Sequence, residues 1–349
     1  MVKSTHKPDL GMPPVIFGTS GLGNLFIALS DEVKQEIVKE CITHTKGKLV
    51  FDSAGKYGAG LALESLGKCL KALNVHPDDV IISNKLAWIR TELKTPEPTF
   101  EPGVWRDLKY DAVQNISYNG IIECFEQGNE LLGGYIPQMV SVHDPDEYLA
   151  KAQSPEEDKK LYNDILEAYR ALKQLKSEGK VKAIGVGAKD WRSIERIAND
   201  VDLDWVMIAN SMTIYRHPRP LLEFMKKLES KGVQIINSAV FHSGYLIGGD
   251  YFDYKLIEGD KAENRVLAQW RKDFFKLCAK FNIKPAEACV QFALMAPGVK
   301  SIALSTSDSK RVKDNIAMAE VAIPRKFWDE MIDGGLIDEN YFNYSTTNQ

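Results

Sequence analysis

Short apolar runs alternate with amphipathic helical segments along this chain, which predicts an α/β protein built on a parallel sheet. Eight such runs are present, and eight is the number of strands that a closed barrel needs. Polar residues stand at the last position of several runs, where a parallel barrel builds its active site. The sequence therefore predicts a (β/α)8 TIM barrel with long loops at its C-terminal rim.

The predicted elements follow one another without a linker or a tandem repeat. The strands are expected over residues 15–17, 49–52, 80–85, 139–143, 183–186, 205–209, 233–238 and 301–304. Helical periodicity predicts helices over residues 30–45, 62–73, 158–178, 191–199 and 220–231, with Gly179 and Gly232 at helix C-caps. We expect one domain, residues 1–349, with a barrel core at about 15–320 and a C-terminal extension at 321–349.

Three connections are longer than a barrel requires: residues 86–111, 143–153 and 241–261. All three are expected to rise from the catalytic rim, where long loops usually determine specificity. Their aromatic residues Trp88, Phe241 and Tyr245 are candidate substrate walls. They could equally cover loop backbone.

Four ionisable residues stand at or just beyond the ends of consecutive predicted strands. Asp52, Lys85 and His143 close the runs KLVFD, VIISNK and MVSVH, and Tyr57 follows Asp52 in the segment FDSAGKYG. Any one of them alone would be an ordinary core or surface residue. Because the carboxyl ends of parallel strands meet at one rim, their order predicts that the four side chains converge.

Together these residues could transfer a proton. A tyrosine has an ordinary pKa of about 10, which an enzyme working near neutrality must lower. A lysine ammonium about 4 Å away would stabilise the phenolate by roughly 4 kcal/mol at an effective dielectric constant of about 20. A buried ammonium in turn needs a carboxylate, which Asp52 can supply. His143 could orient a carbonyl or hydroxyl oxygen.

This set resembles the catalytic tetrad of the aldo/keto reductases, over about residues 15–318. The matching motifs are DSAGKYG, ISNKL and VSVHDPD. The resemblance implies that Tyr57 is the general acid/base, that Lys85 and Asp52 activate it, and that His143 positions the substrate oxygen. HDPD and FHSGYLIGGDYFDY (residues 241–254) are most similar to the branch that oxidises free sugars such as L-fucose or L-galactose at the anomeric carbon.

Hydride transfer by such an enzyme requires a nicotinamide cofactor. The segment LSTSDSKRVKDN (residues 304–315) follows the last strand and opens a helix, and its hydroxyls and free N–H groups suit phosphate. The resemblance implies phosphate contacts from Thr306 and Ser307, a ribose-side contact from Arg311 and an adenine contact from Asn315. Ser305 stands where many relatives carry a lysine that favours the 2′-phosphorylated cofactor.

Other positions depart from the family pattern. Gly187-Ala188 replace the Ser-Asn pair that many members use for the nicotinamide carboxamide, and Asn237 replaces an aromatic platform. We expect Asn210 to take over the carboxamide contact. Thr19 lies in FGTSGLGN, a glycine-rich loop expected to pass close to the nicotinamide. Its spacing differs from the dinucleotide-binding fingerprint, which disfavours a Rossmann fold.

The residues of this segment leave the choice between NAD and NADP open. Arg311 could bind a 2′-phosphate, whereas Asp308 would repel one at close range. The sequence leans to NAD or to dual use of NAD and NADP.

Composition excludes several other classes of protein. The formal charge of −4 argues against nucleic-acid binding, and every apolar run is too short to span a membrane. The five cysteines show no C-x-x-C spacing, so neither a disulfide framework nor a zinc site is expected. With no signal-peptide pattern at the amino terminus, we expect a cytoplasmic protein that acts on a small molecule, and a homo-oligomer is possible.

The sequence therefore predicts an NAD(P)-dependent sugar dehydrogenase that gives a lactone, or an aldehyde reductase in reverse. Three alternatives remain. Pyridoxal or other aldehydes could be the substrates. The cluster HDPDE (residues 143–147) could bind a divalent metal for isomerase or hydrolase chemistry. The chain could also be a non-catalytic, cofactor-sensing regulatory subunit.

Overall fold

A computed structural model describes residues 7–253, 255–257 and 261–344. The strands are β1 (Val15–Gly18), β2 (Leu49–Ala54), β3 (Val80–Leu86), β4 (Trp88–Glu92), β5 (Tyr110–Gln114), β6 (Met139–His143), β7 (Ala183–Ala188), β8 (Trp205–Ala209), β9 (Gln234–Ser238), β10 (Tyr251–Phe252), β11 (Lys255–Leu256) and β12 (Val299–Ser305). Eight of them form a closed parallel barrel in the order β1-β12-β9-β8-β7-β6-β3-β2. The predicted (β/α)8 fold is confirmed.

Helices alternate with the barrel strands. They are α1 (Asp31–His44), α2 (Leu61–Ala72), α3 (Tyr118–Leu132), α4 (Pro145–Leu149), α5 (Pro155–Ser177), α6 (Trp191–Asp200), α7 (Arg219–Ser230), α8 (Ala262–Phe281), α9 (Pro285–Leu294), α10 (Arg311–Ala317) and α11 (Arg325–Asp333). The five predicted helices are present as α1, α2, α5, α6 and α7. Helix α5 begins earlier than expected because Ser154 caps it, its hydroxyl accepting from Glu157 N at 3.1 Å.

Packing against both faces buries the barrel strands almost completely. One apolar cluster combines residues from six strands, among them Ile16, Val50, Met139 and Trp205. Gly185 on β7 makes room for the largest of these side chains, since a Cβ there would lie 2.4 Å from the Trp205 ring. A filled barrel interior of this kind leaves the polar strand ends at the rim as the place for a site.

The three long loops carry secondary structure of their own. A loop is predicted over residues 86–111. This connection instead contains β4 and the start of β5, which pair as an antiparallel hairpin, and neither strand was predicted. The second loop contains α4, and the third contains the short hairpin of β10 and β11. Residues 254 and 258–260 of the third loop, and residues 345–349 of the predicted extension, lie outside the described residues.

The C-terminal extension docks on the barrel through specific contacts. Tyr341 stacks on Phe292 of α9 with ring centroids 3.9 Å apart, and its hydroxyl donates to the Phe292 carbonyl at 2.5 Å. His217, after β8, accepts from Asp338 N at 3.0 Å through Nε2. Its Nδ1 lies 3.1 Å from the Thr213 carbonyl, which fixes this imidazole as the neutral Nδ1–H tautomer.

Two structural features concern the membrane-protein, disulfide-rich and zinc-binding classes that the sequence argues against. Within the described part of the chain, no helix has both the length and the apolar character needed to cross a lipid bilayer. The five cysteines are free thiols, and all of them are buried.

Acidification is expected to destabilise the fold through three buried imidazoles. Burial lowers the pKa of His143, His217 and His242, so each binds a proton more readily in the unfolded chain. Their stabilisation is present above the unfolded pKa of about 6.5 and is lost as the pH falls through it. Urea unfolding should give a lower free energy at about pH 5.5 than at about pH 7.5, a window above the carboxylate titrations.

His217→Gln should reduce this pH dependence, whereas the same change at the exposed His76 should leave it unaltered. An unfolding free energy equal at the two pH values would contradict the prediction.

Candidate active site

Parallel strand pairing brings the two charged residues of the predicted tetrad together. Asp52 and Lys85 lie on neighbouring strands β2 and β3, where Asp52 pairs in register with Ser83 and Ala54 with Lys85. The Lys85 ammonium lies 2.5 Å from Asp52 Oδ2 and also donates to the Ser53 carbonyl at 3.2 Å. Both charged side chains are almost fully buried. The ion pair therefore sits inside the barrel mouth rather than in solvent.

Further hydrogen bonds to the carboxylate and to the backbone carbonyl fix the position of Asp52. Ser83 Oγ donates to Asp52 Oδ1 at 3.1 Å. Thr19 donates to the Asp52 carbonyl from both its backbone N–H at 3.0 Å and its hydroxyl at 3.1 Å. Thr19 is itself buried and holds β2 in place, while its neighbours Gly18 and Ser20 line the main cavity. A contact between Thr19 and the nicotinamide stays a prediction.

Tyr57 lies between the lysine and the histidine. The Lys85 ammonium is 4.7 Å from the centroid of the Tyr57 ring. The His143 ring meets the Tyr57 ring edge-on, with centroids 5.6 Å apart. The structure thus brings together the four residues that the sequence predicted to converge, Asp52, Tyr57, Lys85 and His143.

Glycines allow the loop that carries Tyr57 to approach the loop after β1. A Cβ at Gly23 would lie 2.9 Å from the Tyr57 carbonyl, and one at Gly58 would lie 2.3 Å from Gly23 O. Gly58 also has φ of +60°, a conformation that disfavours other residues. These contacts leave Tyr57 little freedom to shift relative to the rim.

His143 is held as a neutral imidazole. Burial lowers its pKa well below the usual range, and the ammonium groups of Lys85, Lys56 and Lys189 lower it further, against the opposing effect of Asp144. Asp144 Oδ2 lies 3.6 Å from His143 Nε2. A neutral ring can donate one hydrogen bond to a substrate oxygen without adding charge to the site.

An ionic cluster around the buried Lys56 ammonium adjoins the tetrad, and it was not predicted. The Lys56 ammonium lies 2.8 Å from Glu101, 2.9 Å from Asp144 and 3.0 Å from Glu147, and Lys189 contacts Glu147 at 2.5 Å. Burial by itself would lower the pKa of Lys56, but the three carboxylates outweigh it and raise that pKa above its ordinary value. We call these five residues the Lys56 cluster.

A cavity of about 960 Å³ opens at this rim. At one end it is lined by the tetrad and by residues of the Lys56 cluster. At the other end it is lined by residues of the predicted phosphate and adenosine segment, namely Ser305, Thr306, Ser307, Arg311 and Asn315. Both predicted halves of the site thus face one continuous space, which has the size of a cofactor and substrate site.

A model of the aldo/keto reductase family matches residues 14–333, the span that contains the barrel and both halves of this cavity. The chain belongs to the aldo/keto reductase family. It is accordingly an oxidoreductase of a family that uses NAD(P)H.

Relatives of known activity align along nearly the whole chain at low identity. The pyridoxal 4-dehydrogenase of Microbacterium luteolum is 25% identical over 96% of this chain and 99% of its own length. The D-threo-aldose 1-dehydrogenase of a Pseudomonas species is 25% identical over 94% of this chain and 95% of its own. An aldo/keto reductase from Klebsiella pneumoniae, solved with NADP and acetate, has the same fold, with a TM-score of 0.61 at 15% identity, covering 94% of this chain and 93% of that one.

The positions that depart from the aldo/keto reductase pattern have structural explanations. A Cβ at Gly187 would lie 3.1 Å from Lys85 Cδ, so the glycine brings β7 against the lysine stem. Asn237, at the place of the aromatic platform, is fully buried and donates to the Met212 carbonyl at 2.8 Å. It therefore serves the strand packing and offers no stacking surface.

Two of the three predicted substrate-wall residues do not line the cavity. Trp88 begins β4 and packs against Phe100, and Tyr245 is buried in the core with the Arg271 guanidinium 3.9 Å from its ring centroid. Phe241 does line the cavity. The aromatic wall beside Tyr57 is instead Trp105, whose ring centroid is 5.8 Å from that of Tyr57.

Asn210 follows β8 but is not among the cavity-lining residues. It is buried, with φ of +59°, and its Oδ1 finds no partner within the described residues. A buried amide oxygen without a partner carries a free-energy cost, which a ligand amide could remove.

The HDPDE segment does not form a metal site in the described residues. No group of three or more His, Cys, Asp or Glu side chains there has a geometry suited to a metal ion. Asp144 and Glu147 are instead the ionic partners of Lys56 and Lys189, and Asp146 accepts from the backbone N–H groups of residues 189 and 190. These bonds account for the segment without a metal.

Removing one member of the buried ion pair should cost more stability than removing both charges. Lys85→Met leaves the Asp52 carboxylate buried and unpaired, and should lower the free energy of unfolding by about 3–5 kcal/mol. Combining it with Asp52→Asn should recover much of that loss in urea unfolding while activity stays absent. If the double variant were as unstable as Lys85→Met alone, the ion pair would not be the cause.

Proposed function

We propose that this protein is an NAD(P)-dependent dehydrogenase that oxidises the anomeric carbon of a free aldose, such as L-fucose, L-galactose or D-arabinose, to the lactone. The observation that carries the proposal is the placement of the Lys85 ammonium between the Asp52 carboxylate and the Tyr57 ring, with His143 edge-on to the same ring. The similarity to a D-threo-aldose 1-dehydrogenase supports a sugar as substrate.

Each tetrad residue has a distinct role in this chemistry. Tyr57, as phenolate, accepts the proton of the anomeric hydroxyl, while the C1–H bond breaks and a C1=O bond forms. Lys85 favours the phenolate electrostatically, and Asp52 compensates the buried ammonium. His143, neutral, donates a hydrogen bond to the reacting oxygen and so fixes C1. In reverse, Tyr57 protonates the oxygen of an aldehyde.

The residues present fit a nicotinamide cofactor. The Ser307 hydroxyl, at the end of the cavity near α10, suits phosphate, whereas the Thr306 hydroxyl already donates to the Asp308 carbonyl at 3.0 Å. The cofactor, when bound, supplies the acceptor for the C1 hydride. A relative in structure was solved with NADP, which supports the same cofactor class here.

A second candidate is oxidation of pyridoxal or reduction of other aldehydes. It is favoured by the similarity to a pyridoxal 4-dehydrogenase, which covers 96% of this chain. The same tetrad serves both reactions, so the walls of the cavity decide between them.

Steady-state assays on a panel of substrates test the proposal. We expect oxidation of L-fucose, L-galactose or D-arabinose to exceed that of pyridoxal in kcat/KM, and Tyr57→Phe to abolish turnover with cofactor affinity nearly unchanged. Higher kcat/KM for pyridoxal would favour the second candidate. Cofactor binding without turnover of any member of the panel would indicate a regulatory subunit, and substantial activity in Tyr57→Phe would contradict the role of Tyr57.

Cofactor preference is expected to be weak or to favour NAD. Arg311, the cation for a 2′-phosphate, lies 3.8 Å from Asp308, and Asp314 also lines this end of the cavity. These carboxylates suit the ribose hydroxyls better than a phosphate. Titrating the protein fluorescence with NADH and NADPH should give similar dissociation constants or tighter NADH binding. A preference for NADPH above about a hundredfold, roughly 2.7 kcal/mol, would contradict this prediction.

A further inference from the structure

The substrate end of the cavity has a wall whose chemistry is set by the hairpin of β4 and β5. Glu101, in the loop between the two strands, lines the cavity together with Lys56, Trp105 and Asp144. Glu101 Oε1 lies 2.8 Å from the Lys56 ammonium, and its Oε2 accepts from Trp105 Nε1 at 2.7 Å. Two contacts thus hold one carboxylate at the wall beside Tyr57.

Lys56 has no N–H group left for a substrate. An ammonium offers three N–H donors. Glu101, Asp144 and Glu147 surround this one at 2.8, 2.9 and 3.0 Å, and the lysine is buried. The cation therefore serves to hold carboxylates rather than to bind an incoming anion.

The wall consequently presents hydrogen-bond acceptors. Among the described residues, each carboxylate oxygen of Glu101 has one partner, which leaves a second lone pair that a hydroxyl can use. In the Lys56 cluster two ammonium groups face three carboxylates, so the cluster carries one net negative charge. Such a wall attracts hydroxyl donors and repels a substrate carboxylate or phosphate.

We propose that Glu101 is a specificity-determining residue, which selects neutral polyhydroxylated substrates and excludes those that carry a carboxylate or phosphate. The inference deepens the proposed sugar dehydrogenase function and rests on it for the identity of the natural substrate. Lys56 and Trp105 act as positioning residues that fix the Glu101 carboxylate.

The test compares neutral with anionic substrates in both directions of the reaction. Oxidation is measured with L-galactose and D-galacturonate, and reduction with glyceraldehyde and succinic semialdehyde. Glu101→Gln removes the charge at nearly constant size. It should lower kcat/KM for the neutral substrate through KM and raise it for the anionic one, so that their ratio shifts by at least about tenfold, or 1.4 kcal/mol.

Two further variants separate charge from structural damage. Glu101→Asp keeps a carboxylate and should still reject the anionic substrates. Glu92→Gln, on the exposed part of the same hairpin, should leave the ratio at the wild-type value. Equal losses for neutral and anionic substrates in Glu101→Gln, or a ratio within about twofold of wild type, would overturn the inference.

The two aldehydes make it possible to distinguish a failure of this inference from a failure of the proposed function. If the wild type oxidises no free sugar but reduces aldehydes, the proposed function fails and the glyceraldehyde to succinic semialdehyde ratio still decides the role of Glu101. A wild type that prefers succinic semialdehyde to glyceraldehyde, or that turns over no substrate of either pair, would overturn the inference as well.

Discussion

The ion pair of Lys85 and Asp52 constrains the rest of the rim. Transferring an ammonium and a carboxylate from water to a protein interior costs several kcal/mol per ion, which is recovered only with close geometry and further hydrogen bonds. Both requirements are met, since the two charges lie 2.5 Å apart and Ser83 and the Ser53 carbonyl complete their hydrogen bonds. The pair depends on β2 and β3 being neighbours in this register, so a slip of one residue would separate the charges.

The same constraint extends from the pair to the loops above it. Thr19 ties the loop after β1 to the Asp52 carbonyl, and Gly23 lets that loop pass against the backbone of Tyr57. The phenol is therefore placed by backbone contacts on one side and by the Lys85 ammonium on the other. Proton transfer benefits from such pre-organisation, because the reacting groups need little rearrangement after the substrate binds.

The sequence was sufficient to predict the fold and the convergence of Asp52, Tyr57, Lys85 and His143, for a physical reason. Apolar strand runs and helix periodicity are local patterns that the sequence shows directly. Because parallel strands of a barrel end at one rim, those patterns also predict that Asp52, Lys85 and His143 converge. The Lys56 cluster was not predicted, because Lys56, Glu101 and Glu147 lie on three different loops and no local pattern pairs them.

The prediction of the aromatic residues that line the cavity failed for the same reason. Trp88, Trp105 and Tyr245 all lie in regions taken for loops, and composition does not show which ring a loop turns inward. The hairpin of β4 and β5 decides it, because Trp88 becomes part of β4 and packs against Phe100, while the loop between the strands places Trp105 against Tyr57. Glu101 and Trp105 are four residues apart in the sequence, and the indole N–H of Trp105 donates to the Glu101 carboxylate. This spacing indicates the contact only when the hairpin is known.

The electrostatics of His143 join the tetrad to the Lys56 cluster. An ionised Asp144 at 3.6 Å favours the imidazolium, whereas burial and the three lysines favour the neutral ring. Lys56 matters twice in this balance, because it draws the Asp144 carboxylate into an ion pair and also adds positive charge near His143. A neutral His143 can donate to a substrate oxygen without competing with Tyr57 as the acid. In the proposed mechanism, the Lys56 cluster thereby also keeps the role of His143 distinct from that of Tyr57.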